Sequence, residues 1–269
     1  MRLAPLSPSA LPRAKALSSL IGWNQTLADW QVFTEHGAVM ACDDGQPELA
    51  ATVATLRYGP AIAWIGMVLV RPDLRRQGLA RAGMEWAVAS LHAAGATSIA
   101  LDATPDGREV YRRMGFTDAW GFSRWHIPPL PRLPGPRPMT ETDIPAVLAL
   151  DAQHFGTDRA WLLRRMLTRN PGWVIEAGGR IVAAVLGRDG TRWRQAGPLW
   201  AQTAPHAQAL LAAALPDGGI ADLRDGQAFL PWLEAELAAP MRPFTRMVLG
   251  EPLPPIGPAC VAVLGPEFG

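Results

Sequence analysis

The stretch "VLVRPDLRRQGLARAGMEWAV", Val68 to Val88, changes its periodicity halfway along. Up to Val70 it is continuously apolar, as a buried strand is. From Ala80 apolar residues return at Met84, Ala87, Val88 and Leu91, which is helical spacing, and Gly95 supplies a stop. Between the two lies Arg75-Arg76-Gln77-Gly78-Leu79-Ala80-Arg81. A helix N-terminus carries unpaired backbone N–H groups and a partial positive charge. Gly78 lets a ligand approach the backbone, the small Ala80 does not obstruct it, and Arg75, Arg76 and Arg81 add fixed positive charge. Together these describe a cradle for a pyrophosphate. Alone the string is weak, since Arg-x-x-Gly-x-[Gly/Ala] arises by chance in about one chain in ten at average residue usage. No Gly-Lys-Ser/Thr follows and no GxGxxG spacing is present, so it is neither a P-loop nor a dinucleotide fingerprint.

Outward from this turn, Leu11 to Glu35 reads as helical and admits a break at Gly22. "AVMACDDGQPELAATVATL" reads as two strands around the turn Asp43-Asp44-Gly45. "AIAWIGMVLV" and "SIALDA" read as strands, "DGREVYRRM" as a short helix closed by Gly115, and "FTDAWGFSRWHI" as one or two last strands. "PPLPRLPGPRP", Pro128 to Pro138, holds too many prolines for a helix or a central strand and reads as a stiff connector. It marks off a first domain over 1–130 and a second over 137–269. The second half repeats the order loosely. "TETDIPAVLALDAQHF" is a helix capped by Thr140 and Asp143, "DRAWLLRRML" is a second helix, and "GWVIEA" with "RIVAAVLGR" forms a hairpin around Gly178-Gly179. "APHAQALLAAAL" and "FLPWLEAELA" are further helices, so the class is α/β (α+β) with signs of a duplication.

A chain of 269 residues has room for two domains, and 49% hydrophobic residues supply their cores. A net charge of +1 argues against general affinity for nucleic acid or an anionic membrane. Cys42 and Cys260 lie far apart without ligand spacing and read as thiols in a reducing cytosol. Pro5, Pro8 and Pro12 interrupt any signal-type core, and no apolar run approaches the roughly 20 residues of a membrane helix. A cytoplasmic protein is expected. His92, His126, His154 and His206 show no ligand spacing, so no metal is assigned.

The region from Ala61 to Phe116 resembles the GCN5-related N-acetyltransferase (GNAT) family. Val70, Arg75, Gly78 and Ala80 match the family's V-x-x-x-x-[RQ]-x-x-G-x-[GA] turn between its fourth strand and third helix. "TPDGREVYRRMGF" matches a second signature, N-P-x-A-x-x-x-Y-x-x-x-G-F, at Pro105, Tyr111, Gly115 and Phe116. Thr104 and Gly107 stand where that signature has Asn and Ala. The resemblance implies two acyl-CoA N-acyltransferase-like domains in tandem, each a mixed sheet flanked by helices. It implies acetyl-CoA as acyl donor, with its pyrophosphate on the amides of Gln77 to Arg81 and its pantetheine arm along Val68, Leu69 and Val70. The Thr104 hydroxyl would bond that arm, less extensively than Asn. The thioester would lie where the fourth and fifth strands splay, and an amine would attack it directly. Such transfer needs positioning, a proton taken from the ammonium and a proton given to the thiolate. Tyr111 is the implied acid, with packing against the donor as its other role.

The base stays open. "AIAWIGMVLV" has no ionisable residue where many family members carry Glu, which leaves water, Asp29, Glu35, His36 or Asp102. "GWNQTLADW" places Trp23 and Trp30 seven apart on an expected helix, either packing the core or walling the acceptor pocket. The second half resembles a bacterial subset of the family with a second acetyltransferase-like domain. Its counterpart of the cradle, "GPLWAQTAPHAQALLAAAL", has no arginine and is expected not to bind CoA in the usual way. Asp158 and Arg159 read as an internal ion pair or a reach toward the acceptor. The expected function is acetyl transfer to an amine, of a small molecule because no acidic run would hold a lysine-rich tail. A non-catalytic CoA-binding or ligand-sensing protein is the alternative. No nucleic acid or membrane partner is expected, and exposed apolar edges leave room for a homodimer.

Overall fold

The computed structural model describes residues 2–269. In the first half, β1 (Leu3–Pro5), α1 (Leu11–Leu20) and α2 (Leu27–His36) lead into β2 (Gly37–Cys42), β3 (Ala51–Tyr58) and β4 (Ile62–Val70). Then come α3 (Leu79–Ala93), β5 (Ser98–Ala103), α4 (Pro105–Arg112) and β6 (Thr117–Ile127). The second half opens with β7 (Arg137–Pro138), α5 (Ile144–Phe155), α6 (Ala160–Leu167), β8 (Gly172–Ala177) and β9 (Arg180–Arg188). It closes with β10 (Gln195–Ala201), α7 (Ala204–Ala214), β11 (Gly219–Arg224), α8 (Leu230–Ala235), β12 (Ala239–Gly250) and β13 (Cys260–Ala262).

All these strands join one sheet, in the order β1-β2-β3-β4-β5-β12-β6-β11-β13-β10-β9-β8-β7. The connector over Pro128 to Pro138 therefore divides the order of elements but not the sheet. β12, late in the chain, is threaded between β5 and β6: Thr245 to Gly250 pair with Ala103 to Ser98, and Ala239 to Val248 run along β6. β6 in turn pairs through Phe122–Ile127 with Arg224–Gly219 of β11. Each half thus completes its sheet with a strand of the other. One core cluster runs through both halves, from Leu17, Trp30, Phe33 and Trp64 to Leu163, Val174 and Phe268.

Buried charge ties the halves together. Arg246 of β12 grips Asp102 of β5 with two hydrogen bonds of 2.9 and 2.8 Å, and its guanidinium lies between Trp64 and Trp120, 4.6 and 4.4 Å from the ring centroids. Asp29 of α2 accepts from Thr26 in a capping box and pairs with Arg169 and Arg188 of the second half, each at 3.1 Å. These cations hold its carboxyl below the usual range against the opposing effect of burial. Arg188 also pairs with Glu267. The final residues return to the first half, where Trp64 Nε1 donates to the Pro266 carbonyl (3.1 Å) and the Tyr58 hydroxyl to that of Phe268 (2.8 Å).

Several expectations change. The long helix does break at Gly22, where φ is +82°, but Trp23 lies in the loop after the break. Trp23 and Trp30 therefore share no helix face: Trp30 is fully buried and donates to Ser18 Oγ, whereas Trp23 faces the site described below. Asp43-Asp44-Gly45 is not a tight hairpin, since the strands stop at Cys42 and resume at Ala51. Asp43 is drawn to Arg13, and Asp44 to Arg71, so their side chains organise a longer loop. Asp158 and Arg159 do not pair. Asp158 accepts from the Ala160 amide, and Arg159 forms a buried bidentate pair with Asp151 at 2.9 Å. Both cysteines are buried and free, and burial raises both thiols, Cys260 to about 11. Among the described residues no helix is long and apolar enough to cross a membrane.

Candidate active site

β4 determines where the site opens. It pairs along β3, but Thr52 opposes Leu69 while Ala54 opposes Gly66, so an extra residue bulges near Met67 (φ +54°). The Thr52 hydroxyl pins the bulge by donating to the Met67 carbonyl at 2.8 Å. On its other side β4 pairs with β5 only from Ile62 to Trp64. Beyond Trp64 the two parallel strands diverge. A gap of about 50 Å³ lies between them, lined by Gly66, Met67, Val68, Asp102, Thr104 and Tyr111 among others.

The basic turn closes the outer end. Gly78 is the N-cap of α3 with φ +84°, a conformation that favours glycine, and no side chain caps that helix. A Cβ placed there would meet no protein atom within 4 Å, so the space before the helix is open. The turn is anchored from behind by Arg71, which bonds Asp44 and Asp73 and depresses both carboxyls. A groove of about 590 Å³ runs from here to the gap. It is lined by Val68, Leu69, Val70, Arg75, Arg76, Gly78, Leu79, Ala80, Arg81, Thr104 and Tyr111. Gln77 is exposed and does not line it. Arg81 lines the groove and makes an exposed pair with Glu85 at 2.8 Å, one turn along α3; Arg75 and Arg76 have no ion pair among the described residues. The uncapped amides, the free arginines and the open space fit a phosphate-bearing ligand of the CoA type.

Thr104 caps α4 by accepting from the Gly107 amide at 3.4 Å, and its hydroxyl proton is still available. Tyr111, on the same helix, lines both groove and gap, and burial pushes its phenol up to about 12. Tyr58, by contrast, is spent inside the core on Phe268. Of the four candidate bases, Asp29 is consumed by its cap and two arginines. Glu35 forms a surface pair with Arg165, His36 lies tilted against Trp161 with ring centroids 4.3 Å apart, and neither lines the gap or the groove. Asp102 does line the gap, with both oxygens held by Arg246; burial raises its carboxyl and Arg246 opposes that.

A third cavity, about 180 Å³, adjoins these two and was not legible in the sequence. Trp23 lines all three spaces, Phe244 and Pro266 are shared with the gap, and Arg242 is shared with the groove. Its walls come from the loop after α1, from the β9–β10 loop and from the start of β12, the first and last of them over 200 residues apart. No local pattern marks such residues in a sequence.

The helix α7, where the second half would place its own cradle, is built differently. Thr203 caps it by accepting from the His206 amide, so no open glycine precedes it.

A bulged fourth strand, a splay and an open helix N-terminus define an acyl-CoA N-acyltransferase fold. A profile of the Acetyltransferase (GNAT) family matches residues 12–116, and a profile of the Acetyltransferase (GNAT) domain matches residues 147–256. Between them these take in most of the chain, which belongs to the GNAT family as two such domains in tandem and is an N-acyltransferase. Holothin acyltransferase from Pseudoalteromonas sp. (strain SANK 73390) is 26% identical over 201 residues, spanning 72% of this chain and 67% of that one. Among solved structures, a candidate acetyltransferase from Pyrococcus horikoshii superposes with a TM-score of 0.83 at 17% identity, covering 100% of this chain and 95% of its own. A tandem GNAT protein from the clavulanic acid biosynthesis pathway gives 0.65 at 15% identity, covering 94% and 99%. At such identities it is the fold that is shared.

Proposed function

We propose that the protein transfers an acetyl group from acetyl-CoA to an amine of a small molecule, by direct attack in a ternary complex. The observation that carries this reading is the single groove leading from the open N-terminus of α3, past Thr104, to Tyr111 at the splay. Acetyl-CoA supplies the acyl carbon and a thiol leaving group. Arg75, Arg76 and the first amides of α3 hold phosphate, Val68 and Val70 offer strand backbone to an amide-bearing arm, and Tyr111 stands protonated beside the gap. A phenol carries its proton at neutral pH, so Tyr111 can donate to the departing thiolate, although burial, which raises its pKa, makes it the weaker acid until the thiolate charge develops. The small gap favours a short acyl chain. Since the four candidate bases are held elsewhere or by Arg246, the ammonium proton leaves through water. Only the first domain holds the donor, because Thr203 and the absence of arginine leave α7 without a phosphate site.

Calorimetric titration with acetyl-CoA tests this. Wild type should bind at a stoichiometry near one, and an Arg76→Glu, Gly78→Glu double variant should bind at least about thirtyfold more weakly. Arg76→Glu alone leaves the glycine in place and should give an intermediate loss. No binding by wild type, or two equal sites, would overturn the reading.

A further inference from the structure

The cavity beside the splay is one-sided in charge. Arg124, Arg192 and Arg242 line it and no carboxylate does. Arg124 is neutralised, since Asp222 takes two of its hydrogen bonds at 2.8 and 2.7 Å. Arg192 makes one long bond, 3.4 Å, to the Gly22 carbonyl, and Arg242 has no carboxylate within ion-pairing distance among the described residues. Two guanidinium groups without a carboxylate partner therefore line a cavity that also has a large aromatic and apolar wall, with Trp23, Trp193, Met241 and Phe244 in it.

This wall is constructed rather than incidental. Asn24 clamps the Arg192–Trp193 loop onto the first half: its Oδ1 accepts from both amides at 3.0 Å, and its Nδ2 donates to the Trp193 carbonyl at 2.9 Å. Thr191 adds a bond from its amide to the Asn24 carbonyl and one from its hydroxyl to that of Gln25. The Trp193 ring is held edge-on against His126, 4.9 Å between centroids. Gln25, only 3% exposed, is among the residues lining the same cavity, and its buried amide oxygen has no protein partner. A buried polar atom without a partner is costly unless a ligand or water supplies one.

We propose that the acceptor is an amine that also carries an anionic group, carboxylate or phosphate, on an apolar body of on the order of ten non-hydrogen atoms. The anion meets Arg192 and Arg242, an N–H of the acceptor satisfies Gln25, and the amine points through the passage at Trp23, Phe244 and Pro266 toward the splay. Guanidinium forks suit both oxyanions. Purely cationic polyamines are repelled by the same charges. This assignment rests on the acetyl-transfer reading above, and deepens it.

The test uses non-reactive ternary complexes. With the protein saturated in coenzyme A, calorimetry compares 4-(aminomethyl)benzoate and 4-(aminomethyl)phenylphosphonate with benzylamine. At least one anionic probe should bind about tenfold or more tightly than benzylamine, and which one does so separates carboxylate from phosphate. Arg192→Gln, which does not line the donor groove, should remove most of that preference while coenzyme A affinity stays within about threefold; Arg242→Gln, which borders both spaces, should remove it whatever its effect on coenzyme A. Benzylamine binding as well as the anions, none of the three binding, a preference that survives both substitutions, or an Arg242→Gln effect confined to coenzyme A would each overturn the proposal. Failure of wild type to bind coenzyme A would instead strike at the donor site, and the acceptor assignment would fall with it.

Discussion

Tyr111 and Gly107 act as a unit. A Cβ at position 107 would stand 2.9 Å from Tyr111 Cε2 and 3.3 Å from Cζ, so the ring could not keep its present place over the first turn of its own helix with a larger residue there. The departure from alanine at 107 was visible in the sequence, but its reason was not, because it depends on where the tyrosine ring lies. Alanine there should favour the helix by roughly 0.5–1 kcal/mol yet push the ring away from the gap. Gly107→Ala is therefore expected to keep or raise the melting temperature while turnover falls about tenfold. Tyr111→Phe should lower turnover by about a hundredfold at unchanged acetyl-CoA affinity, the range expected for loss of a general acid. Unchanged turnover would reduce the tyrosine to packing.

At the level of elements, α4 is held over the splay by charge. Arg108 and Arg112 sit one turn apart and both bond Asp118 on β6, the first through Nε at 3.0 Å. The arginines hold that carboxyl at about 2, against 3.8 for a free aspartate. A depressed carboxylate contributes stability fully above the unfolded pKa and loses it as the folded pKa is approached from above. The Asp118 contribution should therefore be complete above about pH 4 and vanish near pH 2. Urea midpoints followed from pH 6 to 2 should fall more steeply in wild type than in Asp118→Asn, and the two curves should converge at the acid end. A constant offset at every pH would mean that packing, not charge, accounts for the difference. Elements whose signals are local were legible: the apolar run of β4, the periodicity of α3, the glycine that closes α1. The Asp43–Gly45 turn was misread because Arg13 and Arg71, thirty and twenty-seven residues away, recruit its side chains.

The whole molecule is an exchange of strands. β5 lacks a neighbour on its far side unless β12 arrives from the other half, and β6 pairs on both faces with strands from beyond residue 200. Residues 1–130 expressed alone should give no cooperative melt, and coexpression with residues 131–269 should restore one. A cooperative melt by the first fragment alone would show that the exchange is dispensable. Arg246→Ala should cost about 3–5 kcal/mol in the urea-unfolding free energy, since it leaves the buried Asp102 carboxylate without its partner. That pair also couples the exchanged strand to the edge of the candidate active site, since Asp102 lines the gap.

What the sequence determined by itself were features that depend on neighbours in the chain: strand, basic turn and helix, the glycine at the helix start, the tyrosine seven residues beyond Thr104. These are set by backbone sterics, periodicity and helix-end charge, which act over a few residues. Only the tertiary structure decided that β12 and β6 change places, that three of the four candidate bases are spent elsewhere and the fourth is held by Arg246, and that Arg192, Arg242 and Gln25 share a cavity with Trp23. Pairing across two hundred residues depends on which faces are left to bury and which charges to neutralise once every element has formed, and no local pattern records that.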